Sequence, residues 1–183
     1  MKQSPILLKI VSLLLLISML CTNTICLYAD TSNSNVPQRI SQEKLEEVIL
    51  GIINWAKQGK DVLLNDDFLS ACGSTPGDWF PIGMGRFGYK ENEPYERYLA
   101  KAEENVAQRY KDKGCLHPAK ATEWQRMSLA ILAMGGDPTS FSQDKNGNSI
   151  NLIADGSYNS IVNPVDRQGI NGAIWAMIML DSM

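Results

Sequence analysis

Three observations predict an all-α chain. Apolar residues recur at three- and four-residue steps in several stretches, the spacing of one helix face. Those stretches open at capping residues or proline and close at glycine. No run alternates apolar and polar residues in the manner of a strand. The chain has 183 residues, 17 basic and 20 acidic side chains and one histidine, His117.

Ser41 is placed to cap a helix running to about Lys57, in which Leu45, Val48, Ile49, Ile52, Ile53 and Ala56 form one stripe and Gly59 is the stop. Residues 94–113 form the clearest helix: Pro94 suits the first turn, Tyr95, Tyr98, Leu99, Ala102, Val106 and Tyr110 trace one face, and Gly114 ends it. Between 121 and 134, Thr122 and Gln125 have capping-box spacing ahead of an apolar run closed by Gly135-Gly136. The stretch from Gly169 to Met183 is apolar on every side, which predicts a buried helix.

Ahead of these lies an export-signal layout. Met1 to Lys9 is short and positive, Ile10 to Leu20 is apolar, and Leu27-Tyr28-Ala29 offers a small residue before a cut. The apolar run is too short to span a bilayer. Residues 1–29 are therefore read as a signal peptide and the polar residues 30–40 as a flexible linker, with the folded domain at 41–183. Removing the leader also removes Lys2 and Lys9, leaving 154 residues with a net charge of −5. That is one domain's worth of chain, secreted or held at the cell surface, with no membrane span. Without a basic block, nucleic acid is excluded as the main partner. Cys21 and Cys26 belong to the leader; Leu20 and Ile25 precede them, so no lipid anchor is expected. Cys72 and Cys115 remain, as a disulfide or as two separate thiols.

An internal repeat organises the domain. With Asp78, Glu123 and Asn171 in register, spaced by 45 and 48 residues, Ile82, Met127 and Trp175 stand four residues on. One further on are the small residues Gly83, Ser128 and Ala176, followed by Met84, Leu129 and Met177. Each unit reads as a more polar outer helix (41–57, 94–113, then 137–155) followed by an apolar inner one. An inner helix starting at Asp78 keeps Pro81 in its first turn, where proline costs little.

Gly77-Asp78-Trp79, Thr122-Glu123-Trp124 and Gln168-Gly169-Ile170-Asn171-Gly172, each leading an apolar helix, resemble prenyltransferase and squalene-cyclase-type repeats, and Gly135-Gly136-Asp137-Pro138 adds to the likeness. The resemblance implies an α/α toroid, in which inner helices ring a cavity and outer helices wrap them, here as an incomplete array of about three pairs. One such fold hosts terpenoid cyclases, protein prenyltransferases, cobalamin carriers and thioester-type surface domains. The acidic Asp-x-Asp-Asp cluster of the cyclases is missing; Asn65-Asp66-Asp67 is the nearest approach. The zinc-ligand spacing of the prenyltransferases is missing too.

Each candidate group has two readings. Asp78 and Glu123 suit general acid–base work, or they cap helices. Trp79, Trp124 and Trp175 suit a cation-stabilising wall, or core. His117, Cys115 and Cys72 offer three zinc ligands, or a His-Pro turn and two thiols. Asp144, Asn146, Asn148 and Asp155 have the spacing of a calcium loop, with Ser149 where glycine is expected, or they form a turn around Asn146-Gly147. The expected function is a non-catalytic repeat module without metal or cofactor. It would bind a small ligand or protein partner at a rim of Asp78, Trp79, Glu123, Trp124, Asn171 and Trp175, and self-associate through its uncapped end. The alternative is a terpenoid-cyclase or prenyltransferase-like enzyme acting on isoprenoids.

Overall fold

A computed structural model describes residues 40–89, 92–159 and 164–183. The leader and nearly all of the linker lie outside the described residues. The chain divides into two compact units, 1–48 and 49–183. Of the first, Ile40, Ser41 and the start of the first helix are described. Among the described residues there are seven α-helices, two short 3-10 turns and no strand; one isolated antiparallel bridge joins Gln143 and Ser149. The class is all-α. No described helix is long and apolar enough to cross a membrane.

Helix α1, Gln42–Lys57, starts where Ser41 Oγ accepts the Lys44 amide at 3.2 Å and stops at Gln58 and Gly59, both at positive φ. Helix α2, Asp66–Leu69, is a single turn; Asn65 caps it by accepting the Phe68 amide at 3.3 Å. Helix α3, Thr75–Phe87, begins three residues before the expected Asp78 start. Ser74 is its cap and Pro76 occupies its first turn, so Pro81 lies inside the helix. The carbonyl four residues before Pro81 belongs to Gly77, which has no side chain and presses against the Ala71 carbonyl.

Helix α4, Tyr95–Lys113, matches its predicted limits, burying Tyr98, Ala102, Val106 and Tyr110 and ending at left-handed Gly114. Helix α5, Thr122–Ala133, is buried from Trp124 to Ile131 and packs against α3 and two later helices, α6 (Leu152–Gly156) and α7 (Ile170–Asp181). The expected capping box is not formed. The Thr122 amide instead donates to Gln168 Oε1 at 3.0 Å, and Gln125 points inward, donating to the Gly156 and Gly172 carbonyls. Segment 137–155 is not an outer helix: it holds a 3-10 turn at Pro138–Ser140, the bridged loop and the start of the five-residue α6.

Two further corrections concern register and burial. Asp78 meets Arg126, 48 residues on, and a Cβ built on Gly85 would lie 2.0 Å from the Ala133 carbonyl, also 48 residues on. Trp79 meets Trp175, and Arg86 donates to Ser182, both 96 residues apart. Inner helices α3, α5 and α7 therefore run in the same direction at a constant step of 48. The 45-residue alignment of Asp78 with Glu123 is about one helical turn out. The close approach of α3 to α5 falls at Gly85, and Gly83 stands exposed. Helix α7 is not buried all round: Gly172, Ala176 and Met179 face inward, while Ile170 is 75% and Met177 69% exposed.

This packing orders two glycine variants. Gly85→Ala should lower stability by about 1–3 kcal/mol, the cost of overpacking. Gly83→Ala, with nothing within 4 Å of the added carbon, should raise it by up to about 1 kcal/mol through helix propensity. Urea melts of the two proteins check the ordering; equal effects would refute the register.

Candidate functional site

Asp78 has no exposed surface. Its Oδ1 accepts the Gly73 amide and the Tyr98 hydroxyl, each at 2.8 Å, and its Oδ2 accepts Arg126 Nε at 2.9 Å. The Arg126 guanidinium forks onto Glu123, with Nη1 to Oε1 at 2.8 Å and Nη2 to Oε2 at 3.0 Å. It also donates to Thr75 Oγ1 at 3.3 Å and to the Gly73 carbonyl at 3.2 Å. Arg109, from α4, donates to Glu123 Oε2 at 3.3 Å and to the Gly73 carbonyl at 2.7 Å. Two acids and two arginines thus form one neutral network around the Gly73 loop.

The electrostatics follow from this geometry. Burial pushes the Glu123 carboxyl up, but hydrogen bonds and charge from Arg126, then Arg109, outweigh it and hold the group below its ordinary range. Burial, followed by the Asp78 charge, pushes the Tyr98 phenol up. Burial and Asp78 also push the Cys72 thiol up to about 12.

Sequence spacing brought Asp78 and Glu123 to one rim, and the structure does bring them together, through Arg126. Arg126, Arg109 and Tyr98 were missed. One signal was present: Arg126 is a lone cation in an apolar run, three residues after Glu123, where a helix places the two on one face.

The other predicted residues separate. Trp124 is buried; its Nε1 donates to the Tyr110 hydroxyl at 2.7 Å, which donates to Asp155 Oδ2 at 2.6 Å. Trp79 and Trp175 meet at the surface, their ring centroids 5.1 Å apart. Asn171 is exposed and makes no cap for α7. Both Asp144 oxygens turn back onto their own loop, accepting the Asn146 and Asn148 amides and Asn148 Nδ2, as a turn requires. His117 Nδ1 accepts the Ala119 amide at 3.0 Å. Among the described residues no three His, Cys, Asp or Glu side chains are placed to hold a metal ion. Of the two readings of the cysteines, the structure has the separate thiols: Cys72 and Cys115 are buried and not joined. Cys72 lies beside Tyr98 and Asp78, while Cys115 lies near Tyr110, so the two have different neighbours.

Two clefts of opposite chemistry stay open: a polar one of about 660 Å³ beside Lys101, Glu104, Lys111 and Lys145, and an apolar one. The apolar cleft, of about 310 Å³, runs between α1 and α3, lined by Ile49, Ile52, Ile53, Trp79, Phe80, Gly83 and Met84. No family model, curated protein or solved structure matches the chain.

Arg126→Leu strands the Asp78 charge and should cost about 3–5 kcal/mol, read from urea melts. Glu123 binds its proton more weakly folded than unfolded. Its contribution is therefore present above its ordinary value of 4.5 and lost as pH falls through its folded value. Glu123→Gln should flatten that acid limb of the stability curve. Cys72 should resist iodoacetamide at pH 8 in the native chain and react, together with Cys115, once the unreduced chain is denatured. A denatured chain with neither thiol free would overturn the assignment.

Proposed function

We propose that this chain is a non-catalytic helical repeat module of the α/α-toroid type, secreted or displayed at the cell surface, that works by docking an apolar partner. The carrying observation is the closed Asp78–Arg126–Glu123–Arg109 network. Cyclisation started by protonation needs an acid that holds its proton in an apolar cage. Glu123 is shifted the other way, and Asp78 is enclosed by three donors, the Gly73 amide, the Tyr98 hydroxyl and Arg126 Nε. Parallel inner helices at a constant step of 48, with α4 wrapped outside, support the toroid reading. Exposed Trp79, with Trp175 beside it and the apolar cleft below, supports docking.

Incubation with squalene or a polyprenyl diphosphate should give no product. Dilute native protein should bind the apolar dye ANS, and Trp79→Ala should weaken that binding severalfold while leaving the circular dichroism spectrum unchanged. Product formation abolished by Asp78→Asn or Glu123→Gln, in variants that stay folded, would defeat the reading in favour of an isoprenoid enzyme.

A further inference from the structure

Helix α3 carries two interior glycines two residues apart, which places them about 200° apart around its axis, on opposite flanks. Each costs about 1 kcal/mol of helix propensity relative to alanine. Gly85 is accounted for, because α5 approaches it so closely that no side chain fits. Gly83 has no such neighbour: nothing lies within 4 Å of an added Cβ. It sits in the apolar cleft beside Trp79, with Ile52 on the facing wall and Met84 at the base. That flank has the form of a seat for another helix, with glycine at the point of closest approach.

Elsewhere the same chain presents a helix face of matching chemistry. On α7, Ile170, Ile174 and Met177 recur at four- and three-residue steps on the side opposite the buried Gly172, Ala176 and Met179. All three are exposed, and residues 170–180 contain no charged side chain. The cleft lining is equally free of charge. Pairing the two surfaces buries apolar area on both sides and strands no ion, whereas a charged partner would lose its hydration in the cleft without compensation.

We propose that copies of this chain associate head to tail, the outer face of α7 from one copy lying in the α1–α3 cleft of the next over Gly83. This rests on the reading of the apolar face as a docking surface and identifies its partner as a second copy. The two surfaces differ, so the contact is heterologous and each copy offers one of each.

Sedimentation velocity on the chain as secreted tests this. Wild type should grow in average mass with concentration across the micromolar range. Gly83→Glu, which blocks the cleft, and Met177→Glu, which blocks α7, should each be monomeric. Mixed in equal amounts they should form a one-to-one dimer and nothing larger, because one intact cleft then meets one intact α7. Both sites are exposed, so helical circular dichroism should be unchanged; Ile174→Glu replaces Met177→Glu if that variant misfolds. Association that survives Gly83→Glu would mean α7 pairs with itself and would overturn the inference, as would a mixture that stays monomeric. A wild type that stays monomeric while its ANS binding still depends on Trp79 would sink the inference and leave the docking reading standing.

Discussion

A carboxylate withdrawn wholly from water has to be answered by a positive charge and by donors in place, or it costs several kcal/mol. Asp78 is answered by Arg126 at 2.9 Å, by the Tyr98 hydroxyl and by the Gly73 amide. Those three groups come from α5, α4 and the loop before α3. Meeting the needs of one side chain thereby sets the distance and sliding position of three elements. Arg126 could not enter the core alone either, and Glu123 and Arg109 bring the group to neutrality. A smaller version of the same device lies nearby. Buried Glu93 accepts the Leu63 and Leu64 amides at 2.8 and 2.9 Å and faces Lys57 at 3.8 Å, tying the chain after α1 to the approach to α4.

Much of the fold was legible because its signals are local. Gly59 and Gly114 end helices through their own left-handed conformation, and the face of α4 is readable from spacing alone. The register between inner helices was not legible. Moving α3 by three residues against α5 leaves nearly the same apolar face presented, so the pattern cannot distinguish Asp78 opposite Glu123 from Asp78 opposite Arg126. The site failed for a related reason. An acid near a helix start looks the same whether it caps amides or holds an arginine, and the arginine here is supplied 48 residues later. Helix α7 misled differently: an apolar composition states that a surface seeks cover, without stating that the cover lies in the same chain.

Polar and apolar residues thus divide the work. The charged groups close inward and fix geometry, leaving little free charge at the inner helices. Exposed apolar side chains include Ile52 and Trp79 at the cleft and Ile174 and Met177 on α7. A surface of that kind discriminates by shape, since it offers few groups for directed hydrogen bonds.

The span of the Asp78–Arg126 tie also has a consequence for folding order. In ordinary stacked repeats stability is a sum of unit and nearest-neighbour terms, and folding can start anywhere and propagate. Here α3 cannot bury its carboxylate until α5, one full repeat later in the chain, is in place. A polypeptide emerging from its start would carry α3 as an unsatisfied segment until Arg126 arrives, then gain both helices together. Loss should be equally joint, with hydrogen exchange in α3 and α5 opening as one unit and no stage at which the first inner helix stands alone.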